Sequence, residues 1–166
     1  IAAGKNVPDG LDDEVGRHIA ALEERSGKRF GDPADPLLMS VRSGAAISMP
    51  GMMDTILNLG LNDVAVEGLA AATGNRRFAY DSYRRLIQMY GEVVDGVDGQ
   101  RSEGAIADLK AARGVANDLD LDANDLRGLV DTFKKVFAKH TGREFPQDPV
   151  RWPGNARRRE SAAPTH

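Results

Sequence analysis

The sequence predicts a mostly α fold of the α+β kind: a helical subdomain with one or two short strands. Three observations carry that expectation. Apolar residues recur at i, i+3 or i+4 and i+7 along most of the chain, which is the signature of amphipathic helices. Only one short apolar run, at 37–42, is bounded on both sides by turn residues as a strand would be. The 166 residues are 41% hydrophobic and 28% charged, enough for one core and about one domain of ordinary size.

The elements follow in order. After the turn signal Pro8-Asp9-Gly10, residues Val15, Ile19 and Leu22 share one stripe of a helix running to about Gly27, with Asp12, Glu14, Arg17, Glu23 and Glu24 on its solvated face. Two prolines among 31–36 deny both helix and central strand, so this stretch reads as a loop. Leu37-Leu38-Met39-Ser40-Val41-Arg42 is then a strand, and residues 43–51 form a small-residue loop. Met53, Ile56, Leu57 and Leu59 suit a short helix closed by Gly60. Val64, Leu69 and Ala70 suit another, closed by Gly74.

The most regular stretch is 76–94, where Ala79, Tyr83, Leu86, Tyr90 and Val93 keep helical spacing with Tyr80, Ile87 and Val94 beside them. A stripe that broad predicts burial on more than one side. A flexible connection over 95–101 precedes a weaker helix through Ile106, Leu109 and Ala112, stopped by Gly114. Asp122 then caps a last helix, with Asp125 at N3 and Leu126, Leu129, Val130, Phe133, Val136 and Phe137 on one face, ending at Thr141-Gly142. Residues 143–166 hold four prolines, an Arg157-Arg158-Arg159 run and no apolar period, and read as extended or disordered. The helical subdomain is thus expected over 53–142 and a divergent tail over 150–166.

Composition excludes several functions. No cysteine is present, which removes disulfides, thiolate zinc sites and cysteine nucleophiles from this chain. His18, His140 and His166 are too far apart to form a local ligand pair. A net charge of -3 argues against a general nucleic-acid surface. No run approaches the roughly 20 apolar residues of a membrane span, and Ile1-Ala2-Ala3-Gly4-Lys5 has no signal-peptide pattern. The expected compartment is cytoplasmic, with no membrane and no nucleic acid among the partners.

Arg42 is the first candidate for chemistry, because it ends a strand and precedes small residues. A guanidinium there can clamp phosphate oxygens bidentately while backbone N–H groups from Ser43 onward, including Gly44, approach them. The plainer use is a surface arginine paired with one of the 25 carboxylates. The Ser-Gly-Ala-Ala string has neither Walker A nor G-x-G-x-x-G spacing. Met49, Met52 and Met53 around Pro50-Gly51 can line a purine pocket or simply fill a core. Tyr80, Tyr83 and Tyr90 among Arg76, Arg77, Arg84 and Arg85 can stack on bases, or can be core tyrosines beside a solvated arginine face. Asp54, Asp63, Asp81 and Asp95 lack the spacing of a calcium loop, so no metal site is assigned.

Longer strings add a family resemblance. The run Pro36-Leu37-Leu38-Met39-Ser40-Val41-Arg42-Ser43-Gly44-Ala45 continues in Ser48-Met49-Pro50-Gly51-Met52-Met53-Asp54-Thr55 and Leu57-Asn58-Leu59-Gly60-Leu61-Asn62-Asp63. With Arg77-Phe78-Ala79-Tyr80-Asp81-Ser82-Tyr83-Arg84-Arg85, Ile87-Gln88-Met89-Tyr90-Gly91 and Phe145-Pro146-Gln147-Asp148-Pro149, it resembles the pyruvate, phosphate dikinase family over about residues 5–149.

The resemblance implies a partial nucleotide-binding domain over 1–149, from the N-terminal ATP-grasp-like region of that family. The whole enzyme uses ATP and Mg2+ to phosphorylate a histidine on a swivelling central domain. A C-terminal barrel then exchanges the group with pyruvate or phosphoenolpyruvate, giving AMP and diphosphate, and the parent is expected to be a homo-oligomer. Arg42 matches the family arginine that contacts ATP phosphates, with Ser43, Gly44, Met49 and Met52 as weaker ATP-binding candidates. No catalytic residue and no metal ligand falls on this chain under that implication. The family's lysine-bearing glycine-rich segment is expected before residue 1 and its acidic metal ligands after residue 149. The rival reading is a non-catalytic helical docking module without nucleotide binding.

Overall fold

The computed structural model describes residues 10–42 and 54–148. Helix α1, Leu11–Ser26, starts after Gly10 and is closed by Gly27, whose left-handed backbone lets its N–H reach Glu23 O. Its apolar stripe is not buried as a stripe: Ile19 packs on the core, while Leu22 is 47% exposed. Helix α1 therefore lies at the margin, tied in by Glu23 Oε1, which accepts from Phe30 N at 2.8 Å.

Strands β1, Arg29–Phe30, and β2, Pro36–Leu37, pair in parallel. The expectation that Pro36 ends a loop is corrected here. It opens a strand, a position where the missing N–H is tolerated. Asp32 Oδ1 folds the link between them by accepting from Ala34 N and Asp35 N at 2.7 and 3.1 Å.

Strand β3, Met39–Arg42, pairs antiparallel with β4, Thr55–Leu59. The helix expected over 53–59 is thus a strand over its described part. Its apolar residues satisfy a helical spacing, but pairing with β3 supplies backbone partners that so short a helix would lack. The expected single run at 37–42 is split between β2 and β3, with Leu38 between them.

Among the described residues four α-helices follow: α2, Ala65–Thr73; α3, Arg76–Asp95; α4, Gly99–Arg113; and α5, Ala123–Thr141, with a 3-10 turn at Asp118–Asp120 before the last. Local chemistry sets their ends. Asn75 Oδ1 accepts from Phe78 N at 2.9 Å at the start of α3. Asp122 and Asp125 bond each other's backbone N–H at the start of α5. The expected flexible link after α3 is short, since Gly96 closes α3 and Asp98 already caps α4.

Helix α3 is the centre, with α2, β4 and α5 packed around it. Tyr83, Leu86, Ile87 and Tyr90 are almost fully buried and meet Leu126, Phe133 and Phe137 of α5. The broad stripe seen in the sequence is this double-sided burial. Residues 144–148 form no helix or strand, yet Phe145 is 3% exposed. It sits edge-on to Tyr83, Tyr90 and Phe137 with centroids 6.4, 5.6 and 5.2 Å away.

Candidate functional site

Arg42 closes β3, opposite Thr55 of β4, and its side chain is exposed. Val41 beside it is 51% exposed, while its partner Ile56 packs against the core. The sheet thus has one end anchored and one end presenting a guanidinium. The anchored end is Leu59, 5% exposed. Close packing holds it there: a Cβ on Gly60 would lie 2.4 Å from Leu37 O, and the φ of +113° at Gly60 suits glycine.

Ser43, Gly44, Met49, Met52 and Met53 lie outside the described residues. Of the nucleotide-binding candidates, the structure therefore places Arg42 alone. An exposed guanidinium at a strand end offers a planar fork of donors suited to two phosphate oxygens at once. Among the described residues, no three His, Asp or Glu side chains converge as a metal site would require, and no helix is long and apolar enough to cross a membrane.

The arginine-tyrosine helix divides differently from a stacking surface. Tyr80, Tyr83 and Tyr90 are 4%, 1% and 1% exposed, so their faces are used in the core. The solvated arginine face needs correction at one position, because Arg84 is 4% exposed. It donates to Asp81 Oδ1 at 2.8 Å and lies 3.5 Å from Asp118 Oδ2, which the sequence places 34 residues away. Arg77 reaches the same turn, donating to Leu121 O and Asp118 O at 2.8 and 2.7 Å. Lys110 Nζ binds Asp118 Oδ1 at 2.9 Å, and this hydrogen bond is the main reason that the Asp118 carboxyl titrates below its ordinary value.

A second polar cluster joins four segments. Tyr83 Oη donates to Asp63 Oδ1 at 2.8 Å, and Lys134 Nζ binds both Asp63 oxygens at 2.7 and 2.8 Å. Gln147 donates to Tyr83 Oη at 3.2 Å and accepts from Asp63 N at 2.9 Å. Burial, with the nearby Asp63 charge adding to it, pushes the Tyr83 phenol well above its ordinary value, so it remains a donor. Sequence reading weighed Asp63 for metal binding, and the structure commits it to this network. The neighbouring Asn62 adds to it, its Nδ2 donating to Gln147 O at 3.1 Å.

Fold and site together define a class: a helical α+β module that presents a strand-end arginine from a small sheet. The chain matches no protein-family model. It is 57% identical over 148 residues to pyruvate, phosphate dikinase from Clostridium symbiosum, covering 89% of this chain and 17% of that protein. It is 54% identical over 142 residues to the protein of that name from Giardia intestinalis, covering 86% of this chain and 16% of the relative. Identity to pyruvate, phosphate dikinase 1, chloroplastic, from Arabidopsis thaliana is 52% over 147 residues, 89% of this chain and 15% of that protein. Over these residues the chain belongs to the pyruvate, phosphate dikinase family, and it spans about one-sixth of the length of those relatives.

Proposed function

We propose that the chain is part of the ATP-binding domain of a pyruvate, phosphate dikinase, and that Arg42 contacts the ATP phosphates. The parent would be a phosphotransferase interconverting ATP, phosphate and pyruvate with AMP, diphosphate and phosphoenolpyruvate through a phosphohistidine. The observation that carries the reading is an exposed guanidinium at the end of β3 within a stretch more than half identical to proteins of that name. Phosphoryl transfer depends on neutralising charge on non-bridging oxygens, and a positioned arginine does so without a proton step. Ser43, Gly44, Met49 and Met52 extend this site toward the phosphates and base in the same reading.

Magnesium belongs to the parent reaction, but the described residues do not fit it. No three carboxylate or imidazole groups converge among the described residues, so the metal's protein ligands are assigned outside them and no step here runs through it. The ATP-grasp architecture, the swivelling phosphohistidine domain, the pyruvate-binding domain and homo-oligomeric assembly are part of the same proposal. The cytoplasm is the compartment we assign, although the Arabidopsis relative is named as chloroplastic. No specific observation favours a docking module without nucleotide.

Thermal unfolding with Mg-ATP tests the reading. At a concentration of about 100 Kd, a ligand that binds only the folded state stabilises it by about 2.7 kcal/mol, a rise of about 5–10 °C for a domain of this size. Arg42→Ala is expected to abolish most of that rise while leaving the ligand-free melting temperature nearly unchanged. A wild-type chain indifferent to Mg-ATP would remove nucleotide binding from this piece of the protein.

A further inference from the structure

Asn58 has a φ of 62°, the left-handed region, and among the described residues it is the non-glycine in that state. It sits where the β3–β4 register shifts. Arg42 pairs with Thr55 and Val41 with Ile56, but Met39 pairs with Leu59. Ser40 alone on β3 therefore faces both Leu57 and Asn58 on β4, a bulge of one residue. Bulges commonly place glycine in the left-handed position, and they increase local twist and re-aim the strand. Here the position is filled by asparagine, whose side chain Nδ2 donates to Ser82 O at 3.1 Å, across to the middle of α3. Glycine would satisfy the backbone better, so the amide hook accounts for the asparagine.

The consequence lies along the strand. On one side of the bulge Leu59 is held in the core. On the other, Thr55 and Ile56 carry the paired end that presents Arg42. The twist set at Asn58 therefore fixes the direction in which that end leaves α3. We propose that Asn58 is a positioning residue: its bulge and its hook to Ser82 aim the Arg42 end of the sheet. The inference rests on the nucleotide-binding reading for its role in function, though not for its geometry.

Asn58→Gly is the informative variant, since relief of the left-handed strain offsets the lost hydrogen bond and the melting temperature should change little. Asn58→Asp keeps the side-chain shape but turns an acceptor toward Ser82 O without relieving the backbone, so it should lower the melting temperature while giving the same change in sheet exchange. Amide hydrogen exchange on the full 166-residue chain reads the outcome. Exchange over Met39–Arg42 and Thr55–Ile56 should accelerate about tenfold in both variants while α3 and α5 amides stay unchanged. Where wild-type chain is stabilised by Mg-ATP, Asn58→Gly should also weaken nucleotide affinity about tenfold. Sheet exchange that is unchanged, or that rises equally in the helices, would overturn the positioning role. A wild-type chain that ignores Mg-ATP would instead defeat the nucleotide reading, and the exchange result would still decide whether Asn58 aims the strand.

Discussion

The Tyr83 hydroxyl donates to Asp63 at 2.8 Å from a side chain that is 1% exposed. Asp63 is at the same time gripped by Lys134 of α5, so one carboxylate links the centre of α3, the approach to α2 and the middle of α5. Gln147 extends the link by donating to Tyr83 and accepting from Asp63 N. The segment after α5 is thereby fastened at the same place as the exit of β4.

Removing either partner should therefore have unequal effects. Tyr83→Phe deletes one donor but leaves Asp63 bound to Lys134, and the expected cost is about 1–2 kcal/mol. Asp63→Ala strips the acceptor from a buried phenol and from Lys134 together, with an expected cost of about 2–3 kcal/mol. Urea unfolding of both single variants and the double variant checks this: the double should lose less than the sum of the two, because both remove the same bond.

Acid should loosen the contact between α3 and the turn before α5. The hydrogen bond from Lys110, with the charges of Lys110, Arg84 and Arg85 adding to it, lowers the Asp118 carboxyl below its ordinary 3.8. Asp122, held by backbone N–H groups of Asp125 and Asn124, shifts the same way. A group whose folded pKa is depressed contributes stability that is complete above its unfolded value, and this is lost as pH falls through the folded value. Melting temperature should thus be flat from neutral pH down to about pH 5 with respect to these groups, then fall below about pH 4. Lys110→Met should lower the neutral-pH value and shrink that acid-dependent fall.

What was legible in the sequence was local. Asp122 and Asp125 announce the start of α5 because a capping box needs only residues three apart, and Gly74, Gly114 and Gly142 announce helix ends because a left-handed terminus is a property of one residue. The α3 stripe was legible for the same reason. The strand character of Ile56, Leu57 and Leu59 was not, since β4 exists through its pairing with β3 and its alternation is broken by the bulge at Asn58. Arg84 read as a solvated charge because its nearer partner, Asp81 at 2.8 Å, fits an ordinary surface pair, whereas Asp118, the second carboxylate beside it at 3.5 Å, is remote in sequence. Arg42 was legible as a candidate from its place at a strand end, and its exposure and its pairing with Thr55 agree with that place.

Phe145 shows how much one aromatic outside any regular element contributes. It has edge contacts with three rings and lies within the core, although no periodic pattern surrounds it. Phe145→Ala should cost about 3–5 kcal/mol, the usual range for removing a buried ring. Phe145→Leu should recover much of that, because shape matters less than filled volume at such a site. Chemical denaturation resolves the two, and equal stabilities for wild type and Phe145→Ala would show that residues 144–148 do not close the core.

Two helical glycines should respond in opposite directions to the same substitution. Alanine is favoured over glycine inside a helix by about 1 kcal/mol, so Gly104→Ala in α4, where an added Cβ meets nothing within 4 Å, should stabilise by about 0.5–1 kcal/mol. At Gly68 in α2 the added Cβ would lie 2.0 Å from Pro33 O and 2.8 Å from Ala34 O. Those are backbone atoms of the turn between β1 and β2, held by Asp32, and they cannot swing aside as a side-chain tip would. Relief requires α2 to move off that turn, and overpacking of this kind costs about 1–3 kcal/mol, more than the helix preference returns. Gly68→Ala should therefore lower the melting temperature while Gly104→Ala raises it. If both were to raise it, the contact between α2 and the β1–β2 turn would not be a close one in solution.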